Sequence, residues 1–436
     1  MPARRAIEVR EFEYLTPKNV GRANCHTLSA EQFAALREFV LANRDGDSPL
    51  ELMHLCSPKG IGEAIQLCNY VGVVELRDGL QIEILPKIDV AKGSAEDERT
   101  VFRKMLAELG TGVSFKSLDF ANLATGKLPL FEVFIAMFLD EAAVLVRKGL
   151  KSAYVLTESE EQFVRGKIDF SKEARKNPVH AERLHLTYSE LKVDRPENRL
   201  VKTTLLKLRK ASHNGANVRR ATQLLESFEG VSESRNVDAD LGRCVRDRST
   251  RAYETLIAWC RVFLKGESFT MFRGKDVATA LLFPMEKIFE DYVGKRLKRA
   301  AIRCEAVRRV DLQARGQWLF DGRQIALRPD VLCTLRDGGL VILDTKWKRV
   351  LGKRDLSPSD LHQMYAYGQR YRAEGEEMQR VILLYPWHEG VATGLAKSGR
   401  LTSSDGVQVD LFFVDLANMD AAISELLMVV EGERSD

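Results

Sequence analysis

Residues 328–348 read RPDVLCTLRDGGLVILDTKWK. Two apolar runs, VLCTL and LVILD, flank Arg336-Asp337-Gly338-Gly339, a composition that turns a chain back on itself. The runs therefore pair as antiparallel neighbours, and the hairpin folds the end of the second strand beside the start of the first. Asp330 stands at that start and Asp344 at that end. Two carboxylates thus meet in space. Side chains alternate along a strand, so Asp344 and Lys346 share one face and Thr345 points to the other.

Converging carboxylates repel, and a hard divalent cation relieves the repulsion. Oxygen ligands suit Mg²⁺, which takes one or two carboxylates and keeps waters and phosphate oxygens in its other positions. Asp330 and Asp344 are accordingly read as Mg²⁺ ligands, with Mn²⁺ a substitute. Such an ion polarises a phosphodiester and lowers the pKa of a water. Lys346 would either accept that water's proton, its own pKa depressed by desolvation, or stabilise charge in the transition state. An acid-x-Lys tripeptide alone is common: Glu190-Leu191-Lys192 is a second one, read as a solvated strand edge. The later tripeptide differs in following a continuous apolar run, an upstream Pro329-Asp330 and a glycine turn, and in preceding a helix with Gln363 and Tyr367.

The chain of 436 residues exceeds one ordinary core, so two or three domains are expected. Its 45% hydrophobic and 29% charged residues fit a soluble globular protein. The seven cysteines form no CxxC pair and the start, MPARRAIEVR, lacks the apolar core of a signal peptide. Free thiols in a reducing cytoplasm are expected. Cys25-His26 and His54-x-Cys56 lack the paired spacing of a closed zinc site. The most apolar segment, Leu128 to Val146, carries Glu132, Asp140 and Glu141, which suits a buried helix better than a membrane span.

Three segments follow from the pattern. Residues 1–95 are strand-rich, with a hairpin at Asp78-Gly79 and a helix over SAEQFAALREFVLANR, capped by Ser29 with Glu31 two residues on. Residues 96–265 are mainly helical, with QFVRGKIDF as a short strand and the stretch from Ser212 to Arg220 as a loop. Residues 266–436 alternate a helix from about Met285, strand QWLF, the hairpin, helix SDLHQMYAYGQRYRAE, and strands VILLYPW and VQVDLFFVDL. That order describes an α/β domain around a central mixed sheet flanked by helices.

Pro329-Asp330 followed by Asp344-Thr345-Lys346 resembles the signature of the PD-(D/E)xK, restriction-endonuclease-like nucleases, and Gln363-x-x-x-Tyr367 resembles an additional motif of several of their branches. The ordered blocks ILPKI, RGKIDF, VDRPENRLVK, PMEKIFEDYV and DTKWK resemble the McrC family, the nuclease subunits of McrBC-type, 5-methylcytosine-dependent restriction systems. The resemblance implies a Mg²⁺-dependent DNA endonuclease with Asp330, Asp344 and Lys346 as its metal-binding and catalytic residues. It implies as partners a McrB-type AAA+ GTPase ring, whose hydrolysis the chain stimulates, and DNA containing modified cytosine. In the family an N-terminal portion engages that ring, which assigns this role to residues 1–95. Glu290 is read either as a further acidic ligand or as a surface helix acid. No Gly-Lys, including Gly126-Lys127 and Gly166-Lys167, precedes Ser or Thr, so the chain has no Walker A loop of its own.

The formal net charge is only +4, but residues 281–360 hold 17 Lys plus Arg against 11 Asp plus Glu. Positive charge gathers where phosphate contacts would need it. Arg296 and Arg299 on one helix, and Lys348 and Arg349 after the hairpin, are candidate DNA contacts, though each cluster also suits a solvated face. Gln363 would orient a water or phosphate, and Tyr367, one helical turn on, would touch the DNA backbone or pack in the core. Two other functions fit part of the pattern: a RecB-like repair nuclease acting alone, and a catalytically idle activator or scaffold of a partner NTPase. The scattered cysteines supply no iron–sulfur set for the first, and the intact acid, acid, lysine set disfavours the second.

Overall fold

The structure, a computed structural model, describes residues 6–42, 53–88, 95–108, 129–176, 183–245, 250–265, 277–315, 317–320, 324–373, 378–391 and 399–432. Gly126-Lys127 and the last two residues expected in the first helix, Asn43 and Arg44, lie outside them. The described residues form two compact units, one from 6–108 with 277–432 and the other from 129–265. The first and last segments, separate on sequence pattern, thus share one unit. The cause is a strand, Val277–Pro284, that pairs antiparallel with Tyr70–Leu76. Among the described residues no helix is long and apolar enough to cross a membrane, and all seven cysteines carry thiols rather than disulfides.

In the first unit, Ala6–Arg10, Gln81–Leu85, Tyr70–Leu76 and Val277–Pro284 form a four-stranded sheet in that order. The Asp78-Gly79 turn joins its two middle strands, with Gly79 at φ +84° and Leu80 N–H held by the Asp78 carboxylate at 3.0 Å. A second four-stranded sheet, built from Cys25–Thr27, Tyr14–Thr16, Ala64–Leu67 and Met53–Cys56, shares its core with the helix Ala30–Ala42. Ser29 caps that helix, but its reciprocal partner is Gln32, not Glu31. Gln32 N–H donates to the Ser29 hydroxyl at 3.2 Å, and Ser29 N–H to the Gln32 side chain at 3.0 Å. Only the three-residue spacing lets both bonds close.

The same unit carries a six-stranded mixed sheet in the order Val307–Leu312, Val331–Leu335, Leu340–Thr345, Met378–Pro386, Gln408–Val414, Arg400–Thr402. The hairpin is as read, with Val331 opposite Leu343 and Thr334 opposite Leu340. Leu340–Thr345 is buried at every position, which accounts for its unbroken apolar run. It lies parallel to Met378–Pro386, and the helix Pro358–Ala373 makes the crossover that parallel pairing requires. The helix Met285–Ala301 buries Ile288, Tyr292 and Leu297, the stripe expected of it.

In the second unit, the helix Leu130–Lys148 is buried along most of its length, and Phe131, Phe134 and Phe138 pack on Trp259 and Phe263. Its acids have specific tasks. Buried Glu132 accepts from Ser212 Oγ at 2.7 Å and Asn217 Nδ2 at 2.8 Å, and Asp140 pairs with Arg220. The stretch Ser212 to Arg220, expected as a loop, begins the helix Gly215–Glu226, because Asn214 accepts from the N–H groups of Ala216 and Asn217 and caps it. A three-stranded sheet, Ala153–Glu161, Leu184–Lys192 and Lys167–Ile168, also belongs here. Glu190 and Lys192 form a solvated 3.2 Å pair, as expected for that tripeptide, though at the end of the sheet's middle strand rather than on an edge strand.

Candidate active site

The carboxyl end of a parallel strand pair in an open α/β sheet is where ligands ordinarily bind. Here Asp344 occupies the fifth position of Leu340–Thr345, beside Leu383 of the parallel strand. The hairpin register sets Asp330 at the next rung beyond Val331 and Leu343. Asp330, Asp344 and Lys346 are therefore brought together, as their spacing requires.

Each oxygen of Asp330 is held. One accepts the Thr345 backbone N–H at 2.8 Å and the Thr345 hydroxyl at 2.7 Å; the other accepts Gln313 Nε2 at 3.1 Å. Asp344 is only 1% exposed, and its carboxylate forms an ion pair with the Lys346 ammonium. Burial, and then the charge of Asp330, push the Asp344 carboxyl well above the usual carboxylate range despite that pair. Lys346 moves opposite to the expected depression. Burial works against its charge, but Asp344, its hydrogen bond and Asp330 outweigh burial and hold the amine above its ordinary value. A lysine in this setting is an ammonium.

Glu290 reaches the cluster indirectly. Gln313 donates through Nε2 to both Glu290 and Asp330, and Lys287 pairs with Glu290 at 2.8 Å. Burial and the Asp330 charge raise the Glu290 carboxyl. Among the described residues no three His, Cys, Asp or Glu side chains are grouped as a ready-made metal cage. Gln313 was not singled out in the sequence. It sits at φ +52°, an unfavourable conformation for a residue with a Cβ, just past the edge strand Val307–Leu312. No local pattern announces it.

Tyr367 is 2% exposed and belongs to the core beneath the crossover helix, so its ring is unavailable to a DNA backbone. Its hydroxyl accepts from exposed Gln363 at 3.0 Å, and burial together with the Asp344 charge raises its pKa. Lys348 is tied to buried Asp360 at 2.8 and 2.9 Å, an acid whose charge also acts on Asp344 and Lys346. Lys348 and Arg349 line a cavity of about 380 Å³ with Phe12, Lys87, Trp347 and His388. Arg296 and Arg299 line a different cavity of about 570 Å³ against the helix Met419–Glu431, where Arg296 pairs with Asp420.

No curated protein matches the chain. Among solved structures it resembles a chain of the half-complex of Thermococcus gammatolerans McrB AAA+ hexamers with bound McrC. That match has 19% identity and a TM-score of 0.70, and covers 98% of this chain and 100% of the other, which establishes a common fold. A chain of the Thermococcus gammatolerans McrBC complex matches at 20% identity and a TM-score of 0.48, over 68% of this chain and 87% of that one. The family model described as McrBC 5-methylcytosine restriction system component matches residues 65–386, which include both carboxylates and the lysine. The chain belongs to the McrBC 5-methylcytosine restriction system component family.

Proposed function

We propose that this chain is a PD-(D/E)xK-type, Mg²⁺-dependent DNA endonuclease, the McrC-type subunit of a restriction system directed at 5-methylcytosine. The observation that carries this reading is the rung formed by Asp330 and Asp344 at a strand end, with Lys346 beside it. Buried Asp344 facing Asp330 across the rung makes a two-carboxylate, oxygen-only site that fits Mg²⁺, with Mn²⁺ as a substitute. Asp330 and Asp344 would hold the ion, which when bound polarises the scissile phosphate and activates water.

The protein groups have separable tasks. Thr345 and Gln313 fix the Asp330 carboxylate, and Gln313 links it to Glu290, an outer support rather than a ready third ligand. The Lys346 ammonium places positive charge where the attacked phosphate gathers negative charge. Gln363, exposed and bonded to Tyr367, would orient a water or a phosphate oxygen. Lys348 and Arg349 would receive flanking phosphates.

The partner is a McrB-type AAA+ GTPase ring whose hydrolysis this chain stimulates, with residues 1–95 as the engaging segment and modified DNA as substrate. The printed description of the Thermococcus gammatolerans assembly, McrB AAA+ hexamers with bound McrC, supports the pairing. Cleavage of methylated plasmid in Mg²⁺ is expected only with the partner ring and GTP present, and Asp344→Ala should abolish it. Efficient cutting of unmodified DNA by the chain alone, or full activity in Asp344→Ala, would overturn the reading.

A further inference from the structure

Trp347 follows Lys346 directly and forms the centre of a tight turn, in which Lys348 N–H donates to the Lys346 carbonyl at 3.0 Å. The Lys346 N–H itself is held by the Leu384 carbonyl at 2.8 Å. The backbone of Lys346 is thus fixed on both sides, by Leu384 at its N–H and by the turn centred on Trp347 at its carbonyl. The indole is 4% exposed and packs on Phe289, with 5.5 Å between ring centroids. Its Nε1–H donates to both carboxylate oxygens of Glu11, at 3.0 and 3.2 Å.

Glu11 comes from the other end of the chain, 336 residues away, and is fully buried. One of its oxygens also accepts the Lys87 backbone N–H at 3.0 Å. The next residue, Phe12, adopts φ +67°, a conformation disfavoured for any residue with a Cβ. The backbone is thus turned sharply where the acid enters the interior. Burial raises the Glu11 carboxyl to about 8, so an apolar side chain would fill this space with less desolvation. A carboxyl group does what an apolar group cannot: it accepts from two N–H donors at once, the buried Trp347 indole and the Lys87 backbone.

We propose that Glu11 is a positioning residue of the nuclease site, fixing the Trp347 indole and through it the course of Lys346. The N-terminal segment is then part of the cutting apparatus as well as a region that engages a partner. This rests on the role given to Lys346 above.

The test is a double-mutant cycle on the full-length chain with its partner ring, GTP, Mg²⁺ and methylated DNA, using Glu11→Gln, Trp347→Phe, the double variant and Lys346→Ala. Trp347→Phe keeps an aromatic ring against Phe289, so the cycle retains a readable arm if Glu11→Gln folds poorly. Each single change should lower kcat roughly tenfold or more with KM for DNA within about twofold. The double variant should be no worse than the more impaired single, because both break one linkage. Stimulation of the partner's GTP hydrolysis by Trp347→Phe, which lies outside the engaging segment, should stay at the native level. If Lys346→Ala is inactive but Glu11→Gln and Trp347→Phe cut normally, or their losses multiply in the double variant, the positioning role fails alone. Parallel loss of GTPase stimulation in Trp347→Phe would mark a structural effect and overturn it too. Full cleavage by Lys346→Ala would sink the reading of the site, and the positioning role with it.

Discussion

Thr345 gives two hydrogen bonds to one oxygen of Asp330, the backbone N–H at 2.8 Å and the hydroxyl at 2.7 Å. The residue between the acid and the lysine of the tripeptide is thus the clamp on the other acid. Thr345→Val keeps the shape and the backbone donor but removes the hydroxyl. Cleavage by this variant is expected to fall roughly tenfold, the worth of a hydrogen bond to a charged group, while Thr345→Ser stays within a few-fold of native. Plasmid-nicking rates at saturating Mg²⁺ decide it, and equal rates for the Val and native chains would remove Thr345 from the site.

Lys346 and Asp344 lie side by side and should separate chemistry from partner activation. Lys346→Ala removes the ammonium next to the carboxylate pair, and a loss of about 100-fold or more in cleavage is expected from the electrostatics of such groups. Stimulation of the partner's GTP hydrolysis should persist. Parallel assays of DNA cutting and phosphate release by the partner provide the comparison. If both fall without unfolding, the assignment of separate cutting and engaging surfaces is mistaken.

Gly72 supports the sheet that unites the two ends of the chain. Its φ is +147°, and a Cβ there would lie 1.8 Å from the Leu281 carbonyl oxygen on the neighbouring strand. That atom is backbone and cannot swing aside. Gly72→Ala is expected to destabilise the first unit by about 3 kcal/mol or more, seen as a lower melting temperature or as insoluble expression. A melting curve unchanged from native would mean that the Tyr70–Leu76 and Val277–Pro284 strands do not pair as described.

How much of this was legible depended on the range of the interaction. The hairpin from Val331 to Thr345 is written locally, in a glycine turn between two apolar runs, and its register follows. The helix from Met285 and the crossover helix carrying Gln363 and Tyr367 are likewise local patterns. The strand Ala153–Glu161 escaped notice because it is largely exposed and ends in a run of Glu, Ser and Thr, so no apolar alternation marks it; Leu184–Lys192 does alternate Leu184, Leu186 and Tyr188 with polar residues, a short signal set among helical segments. Gln313 and Glu11 escaped for a different reason. Each matters only through a contact with a distant segment, made possible by a left-handed backbone at Gln313 and at Phe12. Tyr367 was open between surface and core, and 2% exposure decides for the core.

Glu141 gives the second unit a pH signature. It is 4% exposed, one carboxylate oxygen has no hydrogen-bond partner among the described residues, and burial followed by the Asp140 charge raises its carboxyl from 4.5 to about 7. The folded state therefore keeps a proton that the unfolded chain has already released. Stability from this group is greatest below pH 4.5 and declines as pH rises from there to about 7, after which it is flat. Glu141→Gln removes that decline, so it should be more stable than native at pH 8 by about 1–3 kcal/mol and gain little at pH 5. Denaturant midpoints at the two pH values test the sign, and an equal gain at both would contradict it.

The pairing of Val277–Pro284 with Tyr70–Leu76 also dictates an order of manufacture. A ribosome emits the chain from its N-terminus at roughly 5–20 residues per second, so the whole second unit emerges before the first can close its sheet. During that interval the Tyr70–Leu76 edge waits uncovered, the kind of margin on which nascent chains adhere to one another. Asp330, Asp344 and Lys346 emerge later still. A translation product that stops before residue 330 therefore carries none of the proposed cutting centre.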